Sequence, residues 1–374
     1  MTHSRECLVG YEATSLELQC GSGVSRYTEQ LLNALVEHGA GWRYALLACK
    51  PLACAVPREV TLATGPRIPN RSLWFQFVLP RIIAHLRPRL CHFTNSLAPL
   101  SLSCPFIVTL HDMSLFLFPE LQPKRSLWLV RSILPAVAGK AAGIVTVSDS
   151  AKRDIVRVLQ VKAEKVHVVD LAAAPEYRVI VDKVALDSVR RKYGLESPFV
   201  LFVGTLEPRK NLPRLIEAFS RLRRHGRAEN LVLAGRPGPR YRSLLRQIEE
   251  RGLKDCVRVL GYVPREDLPG IYNAAQALAF PSLYEGFGLP ILESMACGTP
   301  VLTGNRGSMA VLGDEAAVLV DPLSEQEIEH GLHRMLSDER LRQELREAGL
   351  ARASRYSWRR AALETTRIYE RLIR

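Results

Sequence analysis

The sequence predicts an α/β protein built from two doubly wound parallel sheets. Short, continuously apolar runs alternate with longer amphipathic ones, as expected for strands covered on both faces and for the helices that cover them. The alternation pauses once, between Asp170 and Pro198, and then restarts. The length of 374 residues suits two domains at about 150 residues each.

The first series of expected strands is Cys7–Gly10, Tyr44–Ala48, Leu90–Phe93, Phe106–Leu110, Ile144–Val147 and Val166–Val169. The second is Phe199–Val203, Leu231–Ala234, Val257–Leu260, Ala277–Phe280 and Pro300–Leu302. Helical periodicity falls at Val24–His38, Ser126–Ala138, Ser150–Leu159, Leu212–Arg224, Arg240–Arg251 and Leu289–Ala296. Strands and helices alternating on this scale make βαβ units. The pause places a domain junction near residues 175–195, and beyond about residue 322 the chain reads as helical to its end.

Composition narrows the function. Hydrophobic residues make up 47% and charged residues 24%, which excludes a disordered or collagen-like chain. The formal charge of +13 is spread over both halves, so it favours anionic partners without forming a basic tail. No dense Lys/Arg run, helix-turn-helix or zinc-finger pattern points to nucleic acid. The eight Cys contain no C-x-x-C pair and read as buried free thiols in a reducing compartment. With no signal-peptide pattern and no run of about 18 apolar residues, the expectation is a cytoplasmic protein.

In open parallel sheets ligands bind beyond the carboxyl ends of strands, and the candidate chemistry lies there. After the run Phe199–Val203 come Gly204 and then Arg209 and Lys210, just ahead of a helix. A helix start offers free N–H groups to phosphate, and two cations beside it suit a diphosphate. The plainer alternative is a solvated basic pair at a helix start, although the helix dipole disfavours cations at that end. After Ala277–Phe280 comes Glu285-Gly286-Phe287-Gly288, with Glu293 along the next helix. Carboxylates beside exposed backbone N–H groups suit a polyhydroxylated ligand. The plainer alternative makes Glu285 a helix cap and Glu293 a surface charge.

His111 and Asp112 follow the strand ending at Leu110. His111 suits a proton carrier or hydrogen-bond donor, or else a structural histidine. The turn Cys20-Gly21-Ser22-Gly23 opens a helix but has Arg26 where a dinucleotide fingerprint needs its third Gly, which argues against a nicotinamide enzyme. No P-loop, G-x-S-x-G elbow or D-x-D pair occurs, so no metal held by close aspartates is expected. The stretch Arg71–Arg89 mixes aromatics with Arg around Pro80. It suits an anionic membrane face or simple packing on the sheet.

Together these segments resemble the retaining glycosyltransferases of the GT-B fold, specifically glycosyltransferase family 4. VGTLEPRKNLPRLIEAF resembles that family's donor-diphosphate segment, and PSLYEGFGLPILESMACGTPV its E-x₇-E segment. GSGVSRYTEQLLNAL, VTLHDMS and VTVSDSAKRDIV follow the same style in the same order. The resemblance implies two Rossmann-like domains facing a central cleft: residues 1–185 on the acceptor side, joined by the final helix 358–374, and residues 186–357 on the donor side. It implies that Arg209 and Lys210 bind the donor diphosphate. Glu285 with the backbone of Gly286, Phe287 and Gly288 would hold the sugar hydroxyls, and Glu293 the ribose. His111 would lie near the reacting sugar carbon, and Gly23 near the diphosphate or acceptor.

The implied reaction is metal-independent, cofactor-free, retaining transfer of a hexose, with mannose from GDP-mannose preferred and UDP-sugars as the competitor. The acceptor would be a glycan or lipid-linked saccharide, with peripheral contact to an anionic membrane and no nucleic acid. The other readings kept open are a sugar-nucleotide epimerase and a non-catalytic nucleotide-sugar binder. Product formed without acceptor marks the first, and binding without turnover marks the second.

Overall fold

The structure is a computed structural model and describes residues 7–17, 23–39, 41–66, 68, 71–121 and 124–373. The Gly-rich turn residues Cys20, Gly21 and Ser22 lie outside the described residues; Gly23 opens the helix Gly23–His38.

The chain divides into two compact units, one of residues 1–119, 124–171 and 357–374 and one of residues 120–123 and 172–356. The division falls after Leu171, so the pause segment from Ala172 onward belongs to the second unit. The physical reason is local. Within that segment the Ile180 N–H donates to Asn273 Oδ1 at 2.8 Å, and the helix Lys183–Tyr193 is tied to Asp267 through Lys192 and Tyr193, each at 2.6 Å.

Among the described residues the first unit holds seven strands: β1 (Cys7–Glu12), β2 (Trp42–Ala48), β3 (Thr61–Thr64), β4 (Leu90–Phe93), β5 (Phe106–Leu110), β6 (Gly143–Thr146) and β7 (Val166–Val168). They form one parallel sheet in the order β3-β2-β1-β4-β5-β6-β7. The order reverses between β1 and β4, where Val9 is in register with Leu90. The final helix, Trp358–Leu372, is capped by Ser357, whose Oγ accepts from the Arg360 N–H at 3.2 Å. It packs against Gly23–His38.

The segment around Trp74 packs mainly inward. Arg71–Leu73 is helical, Trp74–Val78 forms a wider π-type turn, and Leu79–Leu86 continues as helix. Pro80 lacks the N–H that a regular helix would need there, and the wide turn before it accommodates that loss. Trp74, Leu79 and Ile83 are fully buried in the core, whereas Leu73 and Phe77 stay exposed.

The second unit holds β8 (Phe199–Val203), β9 (Asn230–Ala234), β10 (Val257–Gly261), β11 (Ala277–Phe280), β12 (Val301–Gly304) and β13 (Val318–Val320). This sheet is also parallel, in the order β10-β9-β8-β11-β12-β13. Its order reverses between β8 and β11, and both strands are buried along their whole length. A topological reversal leaves a crevice outside the carboxyl ends of those two strands. No helix among the described residues is long and apolar enough to cross a membrane.

Candidate functional site

Arg209 and Lys210 follow β8, and Glu285 follows β11, so the reversal of strand order sets them side by side. Lys210 Nζ donates to Glu285 Oε1 at 2.6 Å, and Arg209 Nη1 donates to Glu285 Oε2 at 3.1 Å. One carboxylate therefore bridges both cations. Arg209 Nη1 also reaches the Tyr284 carbonyl at 2.7 Å, and Nη2 reaches Glu207 Oε1 at 2.8 Å. Lys210 Nζ lies 5.0 Å from the centre of the Phe280 ring, within reach of a cation–π attraction.

The local backbone explains how two cations are tolerated ahead of a helix. Pro208–Lys210 forms a single 3₁₀ turn, and Asn211 takes a left-handed conformation at φ 62 before the helix Leu212–Arg224 begins. The cations thus precede the helical first turn, and the neighbouring carboxylates offset their charge. Asn211 is buried and does not cap the helix with its side chain. Its Nδ2 donates instead to the carbonyls of Pro281, at 3.0 Å, and Pro322, at 2.6 Å. That ties the β8 loop to the loops after β11 and β13.

Burial works to raise the Glu285 carboxyl, but the charges of Lys210 and Arg209 override it and hold it down at about 2. Burial pulls the Lys210 ammonium below its ordinary value, and Glu285 opposes that. The site is therefore an ionised cluster of side chains with little solvent around it. Fixed charges in such a place act more strongly than in water.

The turn Gly286-Phe287-Gly288 leads from Glu285 into the helix Leu289–Ala296. Gly288 sits at φ +110, and a Cβ there would lie 3.1 Å from Ile291 Cδ1, so both conformation and space favour glycine. The helix carries no side-chain cap, so Glu285 serves the cations and not the helix start. Ser308 Oγ donates to the Glu285 carbonyl at 2.8 Å. On the far side, the Gly204 and Gly235 turns touch: a Cβ on Gly235 would fall 1.8 Å from the Gly204 carbonyl oxygen.

Glu293 is not a surface charge. It is 2% exposed, and Oε2 accepts a hydrogen bond from Tyr272 at 2.9 Å. Tyr272 lies on the short helix Leu268–Ala274, which the sequence pattern did not reveal. Glu207 was quoted only as part of its motif, although its spacing of two from Arg209 already allowed a local contact.

His111 lies in the first unit, beyond β5. Its Nε2 is 2.9 Å from the Thr94 carbonyl, and its ring meets Tyr27 edge-on with centroids 4.7 Å apart. A carbonyl can only accept, so Nε2 carries the proton and Nδ1 keeps its lone pair. Burial pushes the imidazole pKa down. Tyr27 itself joins a buried chain. Its OH is 3.0 Å from Thr109 Oγ1, which lies 2.8 Å from His92 Nε2, and His92 Nδ1 lies 2.7 Å from the Tyr369 OH. The final helix is thereby linked by hydrogen bonds to the residue that packs against His111. Among the described residues no group of three or more His, Cys, Asp or Glu is arranged to hold a metal. No disulfide joins any two of the seven described cysteines.

Two all-parallel α/β units of this kind define the GT-B glycosyltransferase fold. Solved structures share it across nearly the whole chain. Sucrose-phosphate synthase from Thermosynechococcus elongatus gives a TM-score of 0.77 at 21% identity, covering 98% of this chain and 99% of the other. WaaG, a glycosyltransferase involved in lipopolysaccharide biosynthesis, gives 0.76 at 18% identity over 96% and 99%. Residues 21–173 match Glycosyltransferase Family 4, and residues 187–352 match Glycosyl transferases group 1. The O-antigen chain mannosyltransferase B of Escherichia coli is 36% identical over 71% of this chain and 70% of that protein. The serotype-specific mannosyltransferase WbdA of Escherichia coli is 33% identical over 60% of this chain, a match spanning only 28% of the longer relative. The chain belongs to the family 4 glycosyltransferases.

Proposed function

We propose that this protein transfers mannose from GDP-mannose, with retention and without a metal, to a glycan or lipid-linked saccharide in cell-envelope polysaccharide synthesis. The observation that carries the reading is the Glu285 carboxylate shared between Lys210 and Arg209 at the reversal of the second sheet. The mannosyltransferase relatives support the choice of sugar.

Breaking the bond from sugar to diphosphate builds negative charge on the leaving phosphate and positive charge on the ring. Arg209 and Lys210, already placed at the strand ends, stabilise that leaving group in the role a metal plays elsewhere. Glu285 turns its carboxylate to the sugar hydroxyls, helped by the backbone N–H groups of Gly286, Phe287 and Gly288. Glu293 takes the ribose hydroxyls, with Tyr272 fixing one of its oxygens. His111 serves the reacting sugar carbon: with Nε2 committed to Thr94, Nδ1 accepts a hydrogen bond from a substrate hydroxyl. Gly23, at the start of its helix, leaves room for the diphosphate or acceptor, since a Cβ there would meet no described residue within 4 Å. The exposed Leu73 and Phe77 touch an anionic membrane face from the cytoplasmic side.

The test is a product assay with GDP-mannose, UDP-glucose and UDP-galactose against mannose-terminated oligosaccharide acceptors, in EDTA, with the new linkage read by NMR. An α-mannoside formed from GDP-mannose in EDTA supports the reading. Transfer only from a UDP-sugar, a β-linkage or a requirement for metal contradicts it.

A further inference from the structure

Glu207 precedes the cation pair by two residues and has no part in the donor contacts proposed so far. Its Oε1 accepts from Arg209 Nη2 at 2.8 Å, while Nη1 is held by the Tyr284 carbonyl at 2.7 Å and Glu285 Oε2 at 3.1 Å. The guanidinium is thus divided between two carboxylates that are not equivalent. Glu285 also holds Lys210, so it engages both cations that a diphosphate would need. Among the ion pairs of the described residues Glu207 meets Arg209 alone. It grips the nitrogen on the other side of the fork from Glu285. The turn that carries it is closed on itself, since the Lys210 N–H donates to the Glu207 carbonyl at 3.1 Å.

We propose that Glu207 is the positioning residue for Arg209. It anchors Nη2, so that Nη1 stays aimed across the strand ends when a diphosphate takes over the cations from Glu285. This rests on the donor-site reading above. An arginine side chain otherwise has many rotamers to lose on binding, and an anchored fork has lost them in advance. Simple charge repulsion predicts the opposite sign. A carboxylate beside the phosphates would then weaken binding, and removing it would tighten the complex.

The test is isothermal titration of GDP, GMP, UDP and UMP into the wild type, Glu207→Ala, Glu207→Gln and Arg209→Ala, with thermal denaturation of each variant as a folding check. Glu207→Ala is expected to weaken the diphosphate that the wild type binds by about tenfold, while the matching monophosphate changes by less than about threefold. Glu207→Gln keeps an oxygen that accepts from Nη2, and is expected to stay within about threefold of the wild type. Unchanged or tighter diphosphate binding in Glu207→Ala overturns the proposal. So does an equal loss for the monophosphate, which marks a merely structural role, and so does a glutamine variant as weak as the alanine one. If the wild type binds neither GDP nor UDP, or if Arg209→Ala binds as the wild type does, the donor-site reading falls and takes this proposal with it. That pattern is distinct from a failure at Glu207 alone.

Discussion

Replacing Glu285 by Gln tests whether the carboxylate bridge holds the second unit together. The two cations hold the Glu285 carboxyl at about 2, against an ordinary 4.5. At about 1.4 kcal/mol per pKa unit, the ionised form contributes on the order of 3 kcal/mol to folding. Because the folded value is depressed, that contribution is present above about pH 4.5 and is lost as pH falls through about 2. Glutamine keeps the shape and loses the charge, leaving the buried Lys210 facing an amide. Breaking a buried pair from one side costs about 3–5 kcal/mol. For a unit of this size that is a fall of about 6–20 °C in its melting temperature near pH 7. Pairing Glu285→Gln with Lys210→Met removes the stranded ammonium and should recover most of the loss. The assay is thermal denaturation of both variants and the wild type at pH 7. A Glu285→Gln protein melting within about 2 °C of the wild type, or a double variant less stable than the single one, refutes the reasoning.

Arg209→Ala should lower the transfer rate about a hundred- to thousandfold, as expected for loss of one pre-placed donor at developing charge, and steady-state kinetics with GDP-mannose check it. Burial, with His111 adding to it, holds the His92 imidazole down at about 3, so the unfolded chain takes up its proton first as pH drops below about 6.5. The first unit should therefore lose up to about 1.4 kcal/mol per pH unit from this residue between about pH 6 and 3. Denaturant titrations at pH 7 and 5 should show a smaller loss in His92→Gln than in the wild type. Tyr369→Phe removes the hydroxyl beside His92 Nδ1 and should cost about 1–2 kcal/mol in the same titrations. Phe77→Ser should reduce sedimentation with phosphatidylglycerol vesicles at low salt, and a wild type that ignores such vesicles rules out the membrane contact.

Much of the fold was legible because buried parallel strands read as unbroken apolar runs. Two strands were not, and both lie at sheet edges. Thr61–Thr64 is mostly exposed and carries two threonines, so it has no apolar run to see. Val318–Val320 is three residues long. The division after Leu171 was not legible because the helix Lys183–Tyr193 buries none of its residues completely, and its attachment depends on a distant partner, Asp267. Arg209, Lys210 and Glu285 were legible as candidates because they sit in two compact motifs just beyond strands that prove adjacent. The internal wiring of the site was not. Nothing local to Glu293 signals Tyr272, and only the strand order brings Glu285 onto the cations of the β8 loop. The plainer alternatives for both carboxylates fail for that reason: they were judged from neighbours in sequence, and their partners are neighbours in space.

The proposed donor site has Arg209 and Lys210 holding a nucleoside diphosphate without a metal. Thermal shift with GDP, UDP, ADP and their sugars, with and without EDTA, tests it most directly. A ligand at 100 times its dissociation constant adds about 2.7 kcal/mol of stability. A rise is expected with GDP and GDP-mannose, unchanged by EDTA and absent in Arg209→Ala. A rise that EDTA abolishes, one that survives in Arg209→Ala, or no rise with any nucleotide contradicts it.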